Sequence, residues 1–319
     1  MIRVFKEVNK KLEEKIIGIE EIQEVGKKTW IDITEPNPEI LKEVAKLTGI
    51  SLDMLNTSLD EEETAHVDID EDDTLIVLDT PYVEDASLSK YSTAPLVIVY
   101  NTDYFVTVSC REFGLVNEVI KRTKRVEPHK HVRLSINFLY RLFTLYINYL
   151  KKIDILTRST EKELKHSMKN KELFGLMEIN KSLVYFSTAL NADKGVLLKL
   201  FRLESYRQYE DDFDLIEDAQ IEMNQAIEMC SIYSNIISTM MDTYSSVISN
   251  NLNVVMKVLA TITIVIEIPT LVASLYGMNV DVPGNSDNPY LFWIIVGVSA
   301  LLALASSIVL MFITSKARK

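Results

Sequence analysis

Proline is missing from residues 129 to 268, and that stretch holds two glycines, Gly175 and Gly195. Between Gly195 and Pro269 there is neither. Proline deletes a backbone donor and glycine loosens the chain, so their absence fits uninterrupted helix. Cysteine is scarce too. Cys110 and Cys230 form no ligand or redox motif and read as free thiols of a reducing cytosol. No glycine-rich phosphate loop and no nucleophile motif occurs, which argues against nucleotide hydrolysis and against an enzyme. The N-terminus, Met1-Ile2-Arg3-Val4-Phe5-Lys6, lacks the apolar run of a signal peptide. Basic residues fall short of acidic ones, 34 against 46, for a net charge of −12. A surface of that sign disfavours nucleic acid and anionic lipid as partners and suits cations.

Against this background stand two long apolar segments. Val258–Tyr276 carries one charged residue, Glu267, and Tyr290–Thr314 carries none. About 20 apolar helical residues cross a hydrocarbon core, so both are candidate membrane helices. The link 280–289 is short and holds Asp281 and Asp287 but no Lys or Arg. Lys257 precedes the first arm, and Lys316, Arg318 and Lys319 follow the second. Positive flanks face the cytoplasm, which predicts a hairpin in the plasma (inner) membrane with both termini inside and Asn279 near the outer surface. Residues 253–319 hold four basic and three acidic side chains. The first 252 residues therefore carry the whole negative charge and one unit more.

The rest divides at Pro128. Residues 1–127 read as an acidic α/β domain. Trp30–Ile33, Thr74–Val83, Ala94–Tyr100 and Asp103–Cys110 have strand character, and Glu39–Leu47 reads as a helix after Pro36 and Pro38. Residues 128–252 read as a stalk of long helices, roughly 129–168 and 172–206, packing on each other. A third helix, from about 211 to 276, continues as the pore-side arm 253–279 and would span on the order of 100 Å. The loop 280–289, the second arm 290–314 and the basic tail 315–319 complete the chain.

One face of the first arm is distinctive. In steps of three and four it reads Asn253, Met256, Ala260, Thr263, Glu267, Thr270, Ser274 and Gly277, nearly all polar or small, while the intervening positions are mostly Val, Ile and Leu. Such a stripe faces protein or water rather than lipid. A carboxylate in mid-membrane costs at least about 2.5–3.5 kcal/mol unless hydrated, paired or protonated. Neither arm offers Glu267 a Lys or Arg. A water-filled pore shared by several copies accounts for it; the alternative is a protonated Glu267 bonded to a neighbouring helix. One hairpin encloses nothing, so a pore requires closed cyclic symmetry.

The arm ends in Tyr276-Gly277-Met278-Asn279, just before the polar link. Gly-Met-Asn at the end of the first of two C-terminal membrane helices resembles the signature of CorA-type magnesium transporters. The resemblance extends over the whole chain, including the acidic α/β domain, the proline-free helix, Asn253–Leu259 entering the membrane and the basic tail. It implies a homopentameric funnel, with five first arms lining the pore and the second arms facing lipid. It also implies an outer filter at Gly277, Met278 and Asn279, pore-lining roles for Thr270, Asn253, Met256 and Leu259, and an inner constriction at Met256 and Leu259. Ordinary packing is the plainer reading of that last pair. Isoleucine typifies the middle position of the zinc-transporting branch, so Met278 favours magnesium. Hydrated Mg2+ is the implied substrate, moved by gradient and membrane potential. Mg2+ is also the implied regulatory ligand, bound between neighbouring cytosolic domains at Asp53 and Asp218. Two departures stand out. The position of Glu267 is often apolar in the family, and Leu52 stands where an acid is expected beside Asp53.

Other clusters are read more plainly. Asp60–Glu63 and Asp68–Asp73 are dense in acid. The second imitates a calcium loop but has Asp73 where glycine is needed, so it reads as a solvated acidic loop or a diffuse magnesium attractor. His129 and His131 flank Lys130 without Cys or acid at ligand spacing and are not read as a metal site. The competing functions are transport of another divalent ion (cobalt, nickel or zinc) and a scaffold tethered by its hairpin. A tether has no use for a polar stripe or for Glu267.

Overall fold

The computed structural model describes residues 1–70, 72–85, 90–123, 125–167, 170–278 and 290–316. They fall into two compact units, Met1–Met241 and Asp242–Lys319.

The first unit opens with a hairpin of β1 (Ile2–Val8) and β2 (Lys11–Ile17), which the sequence patterns do not announce. Its turn is Asn9-Lys10, both left-handed at φ 51° and 65°. This twist matches that of paired strands, and asparagine tolerates it well. Next come β3 (Thr29–Thr34) and α1 (Pro38–Thr48). Local chemistry sets both ends of α1. Asn37 Oδ1 accepts from the Ile40 N–H at 2.7 Å, Pro38 occupies the first turn, and Gly49 closes the helix at φ 75°.

After α2 (Leu52–Asn56) come β4 (His66–Asp70), β5 (Asp73–Asp85), β6 (Lys90–Tyr100) and β7 (Tyr104–Ser109). The acidic stretch Asp68–Asp73 is therefore not a free loop. Asp70 pairs with Asp73 across a hairpin, and Asp73 Oδ2 accepts from the Ser51 N–H at 3.2 Å. Asp68 and Asp70 are exposed on β4, an edge strand, where charge discourages pairing with another sheet.

The seven strands order as β2-β1-β3-β7-β6-β5-β4. The β3–β7 pair is parallel and every other pair antiparallel. Both parallel strands are buried along their whole length, as expected of a sheet covered on two faces. On one face Ile31, Ile33, Val106 and Val108 meet Leu41 and Val44 of α1 and Leu55 of α2. On the other face pack α3 (Gly114–Arg122), α4 (His131–Ser167) and α5 (Asn170–Leu200). There Trp30 meets Phe5, with ring centroids 4.4 Å apart, and Phe138 of α4 edge-on at 5.5 Å. Beneath Trp30 lies a buried polar chain. Trp30 Nε1 donates to Thr107 Oγ1 (2.9 Å), Thr107 donates to Asp32 Oδ1 (2.6 Å), and Arg3 donates to Asp32 Oδ2 through Nε (3.0 Å) and Nη2 (2.7 Å).

A second buried acid has no ion pair among the described residues. Asp193 of α5 is fully buried, with Oδ1 accepting the Asp79 N–H at 2.9 Å and Oδ2 without a partner. Burial, and then the neighbouring Asp79, push the Asp193 carboxyl well above the usual range. Burial pushes Asp79 up to about 6. An acid raised by folding contributes stability below its unfolded value, near 4, and loses it as pH climbs through the folded one. Asp79→Asn should therefore gain on wild type between pH 4 and 7. A tenfold change in proton affinity is worth about 1.4 kcal/mol, so the gain should reach up to about 3 kcal/mol. Parallel thermal unfolding curves across that range would contradict this.

The last long helix, α6 (Glu210–Tyr276), crosses the boundary between the units as one 67-residue element. In the second unit it is followed by α7 (Leu291–Lys316). The link 280–289 lies outside the described residues, as does the end of the basic tail from 317.

Candidate ion pathway

Among the described residues, α6 and the segment Phe292–Val309 of α7 are long and apolar enough to cross a membrane. In α6 between 258 and 276 the half-buried residues are Thr261, Val265, Ile268, Pro269 and Val272. Their spacing of three and four places them on one side. At about 100° per residue, Asn253, Met256, Leu259, Thr263, Glu267, Thr270 and Ser274 centre on the opposite side, roughly 180° away. All seven are exposed. In α7, Ile295, Ser299, Ala303, Ser306 and Ser307 form a covered stripe of mostly small residues, the kind that permits close helix approach. Each arm thus has a half-buried side, and the mostly polar stripe of α6 lies away from it.

Local bonding prepares that stripe. Thr263 Oγ1 donates to Leu259 O and Thr270 Oγ1 to Ile266 O, both at 2.9 Å. With their protons spent on the helix, the hydroxyl oxygens present lone pairs outward. Pro269 leaves the Val265 carbonyl without its helical donor, yet α6 runs through it. At the end of α6 the Gly277 N–H still reaches Ala273 O at 3.0 Å, and a Cβ on Gly277 would stand 3.2 Å from that oxygen. Glycine therefore lets the last turn stay closed. Met278 is exposed. Asn279 lies outside the described residues.

The two acids assigned to regulation sit in the first unit. Asp53 is exposed in the first turn of α2, and Asp218 is exposed on α6. Among the described residues neither joins a cluster of three metal-ligating side chains within one copy. Such a cluster does form at Glu7, Glu127 and His129, whose ligand atoms lie within 4.8 Å of one another. This corrects the reading that no acid lies near His129: Glu127 is two residues before it, while Glu7 is distant in the chain and no spacing points to it. It is β1, pairing beside β3, that carries Glu7 to the segment before α4. Burial opposes the Glu127 carboxylate, but Lys130, Arg125 and His129 hold it below the usual range. Both cysteines are free, as expected, and burial pushes the Cys230 thiol up to about 12.

The CorA-like Mg2+ transporter protein family matches residues 26–316. The cobalt/magnesium transport protein CorA of Methanocaldococcus jannaschii is 27% identical over 281 residues, 86% of either chain. The complete structure of the CorA magnesium transporter from that organism aligns with a TM-score of 0.80 at 22% identity, covering 98% of this chain and 96% of that one. The structure of the full-length CmaX protein aligns at 0.72 and 16% identity, over 97% of both chains. These likenesses show a common fold, with an N-terminal α/β domain, long helices and a C-terminal apolar helix. With the family match spanning nearly the whole chain, the protein belongs to the CorA-like Mg2+ transporter family.

Proposed function

We propose that the chain carries divalent cations, Mg2+ foremost, into the cell as a homopentamer. The observation that carries this reading is the opposition of faces on α6, with a half-buried, mostly apolar side and an exposed, mostly polar stripe that includes a mid-membrane carboxylate. Five copies around an axis turn five stripes into one water-filled wall, and α7 faces lipid. The plasma membrane, with both termini cytoplasmic, fits the basic flanks Lys257 and Lys316.

The parts then take definite roles. Gly277, Met278 and Asn279 form the outer mouth, where side-chain amides and carbonyls hold a hydrated ion through its waters, since Mg2+ dehydrates reluctantly. The negative end of the α6 dipole points there and favours a cation. Glu267 forms a second cation ring deeper in. Met256 and Leu259 narrow the inner end and close it by excluding water. Cytosolic Mg2+ bridges Asp53 of one copy and Asp218 of the next. It binds the closed state better and so shifts the population toward it. Leu52 leaves that bridge short of one carboxylate, so restraint relaxes at comparatively high Mg2+.

Cobalt is a second reading, supported by the naming of the Methanocaldococcus jannaschii relative as a cobalt/magnesium transport protein. The test is influx into proteoliposomes with an entrapped indicator under an inside-negative potential. Saturable Mg2+ entry, suppressed by Mg2+ on the cytosolic face and lost in Asn279→Ala, is the expected result. Cobalt or zinc entry without Mg2+ entry would keep the pore and change its substrate. No flux of any ion would leave a tethered scaffold as the better account.

A further inference from the structure

We propose that Glu7, Glu127 and His129 form a binding site for a late first-row divalent ion, apart from the ion pathway. Three elements of geometry carry this. Glu7 Oε2 lies 3.5 Å from His129 Nδ1, close to the separation of about 3.3 Å between ligands that share a tetrahedral metal at 2.0–2.1 Å. All three ligand atoms lie within 4.8 Å, so rotation of the exposed His129 ring closes the set. The two carboxylates are themselves largely shielded, with side chains 14% and 11% exposed, and such placement holds ligands in position.

The residues around the cluster match what a metal site needs. Arg125 bonds Glu7 Oε1 and approaches Glu127 Oε1 at 3.5 Å, and Lys130 Nζ reaches Glu127 Oε2 at 3.0 Å. Through these ion pairs they hold the two carboxylates in place and occupy the oxygens that an ion would take. They also balance the two negative charges while no ion is bound. Both cations are about half exposed, so an arriving ion can displace them into water at small cost. His129 and Lys130 also line a cavity of about 670 Å³ together with Tyr100, His131, Arg133 and Tyr209, so the imidazole side of the cluster borders open space. One imidazole with two carboxylates suits Zn2+ or Co2+ better than Mg2+, which prefers oxygen alone and keeps its waters.

The site also joins distant parts of the chain. Glu7 belongs to the N-terminal hairpin, and the other two ligands precede α4. A bound ion would clamp the hairpin to the helical face of the sheet.

The test is titration of the purified full-length protein in detergent with Co2+, read by the visible absorption of protein-bound ion. His129→Ala and Glu127→Gln should each weaken the site at least tenfold. Arg125→Ala and Lys130→Gln should tighten it, because each removes a competitor for the carboxylates. Binding that is unchanged in His129→Ala would overturn the site. So would binding that none of Glu127→Gln, Arg125→Ala and Lys130→Gln shifts, since the ion would then sit elsewhere and the cluster would be purely an ion-pair network. Transport is not the readout, so failure here leaves the pore reading untouched.

Discussion

Glu267→Ala is expected to lower divalent-ion flux by about tenfold and to erode discrimination against monovalent ions. The carboxylate lies midway along an apolar stretch, on the exposed face shared with Thr263, Thr270 and Ser274. Among the described residues no ion pair includes it. In the proposed pentamer five such groups ring one axis. A ring of like charge with low-dielectric walls raises the local cation concentration by roughly 10- to 1000-fold. The same ring attracts a dication twice as strongly as a monovalent ion, so it also selects. Glu267→Gln separates charge from shape, and it should resemble alanine in flux while retaining the packing of the stripe. Wild-type flux and selectivity in both variants would remove Glu267 from the pathway and favour a protonated residue bonded to a neighbouring helix.

The second large effect lies in the first unit. Asp32→Ala should destabilise the first unit by about 3 kcal/mol, because it leaves the buried Arg3 guanidinium with only the half-exposed Glu14 carboxylate, 3.8 Å away, as counter-charge. Asp32 is 1% exposed and Arg3 7%. Burial pushes the Asp32 carboxyl up, opposed by the bonds from Thr107 and Arg3. Losing Asp32 also frees Thr107, which holds Trp30 Nε1 in the centre of the aromatic core. Domain stabilities are only about 5–15 kcal/mol, so the variant should melt far below wild type. Replacing both partners, Arg3→Met with Asp32→Leu, should recover most of the loss, since a well-packed apolar pair can substitute for a buried ion pair. Thermal unfolding of wild type, Arg3→Met, Asp32→Leu and the double variant forms a double-mutant cycle. A loss under about 1 kcal/mol in Asp32→Ala would mean that Arg3 finds relief elsewhere, with Asn117 at 3.2 Å the nearest candidate.

Much of the architecture is legible because it is written in local patterns. The absence of proline and glycine announces α4, α5 and α6, and their observed ends fall within a few residues of expectation except at the C-terminus of α5, where a short turn of helix at Glu204–Tyr206 follows instead. The strands read at Trp30–Ile33, Thr74–Val83 and Asp103–Cys110 are β3, β5 and β7. The strand read at Ala94–Tyr100 starts earlier, at Lys90, because Tyr91 and Ser92 pair with Val83 and Tyr82 although their sequence is mostly polar. The hairpin β1–β2 leaves little trace in the sequence, since its outer strand is largely charged and its signal rests on the turn Asn9-Lys10. For the same reason β4 reads as an acidic loop, since an edge strand needs only one apolar contact, Val67, to be held. At the candidate site the stripe of α6 is legible residue by residue, because a 3.6-residue period can be counted.

What the sequence by itself determined is therefore what depends on neighbours a few positions away. Helix continuity, the caps of α1, the two apolar arms and the face on which Glu267 sits follow from backbone sterics and helical spacing. What only the tertiary structure decided is which distant groups meet. The parallel pairing of β3 with β7, the bond of Arg3 to Asp32, the isolation of Asp193 and the convergence of Glu7 with Glu127 and His129 depend on strand order. That order is selected by burying both faces of one sheet at once, a global requirement that no local pattern encodes.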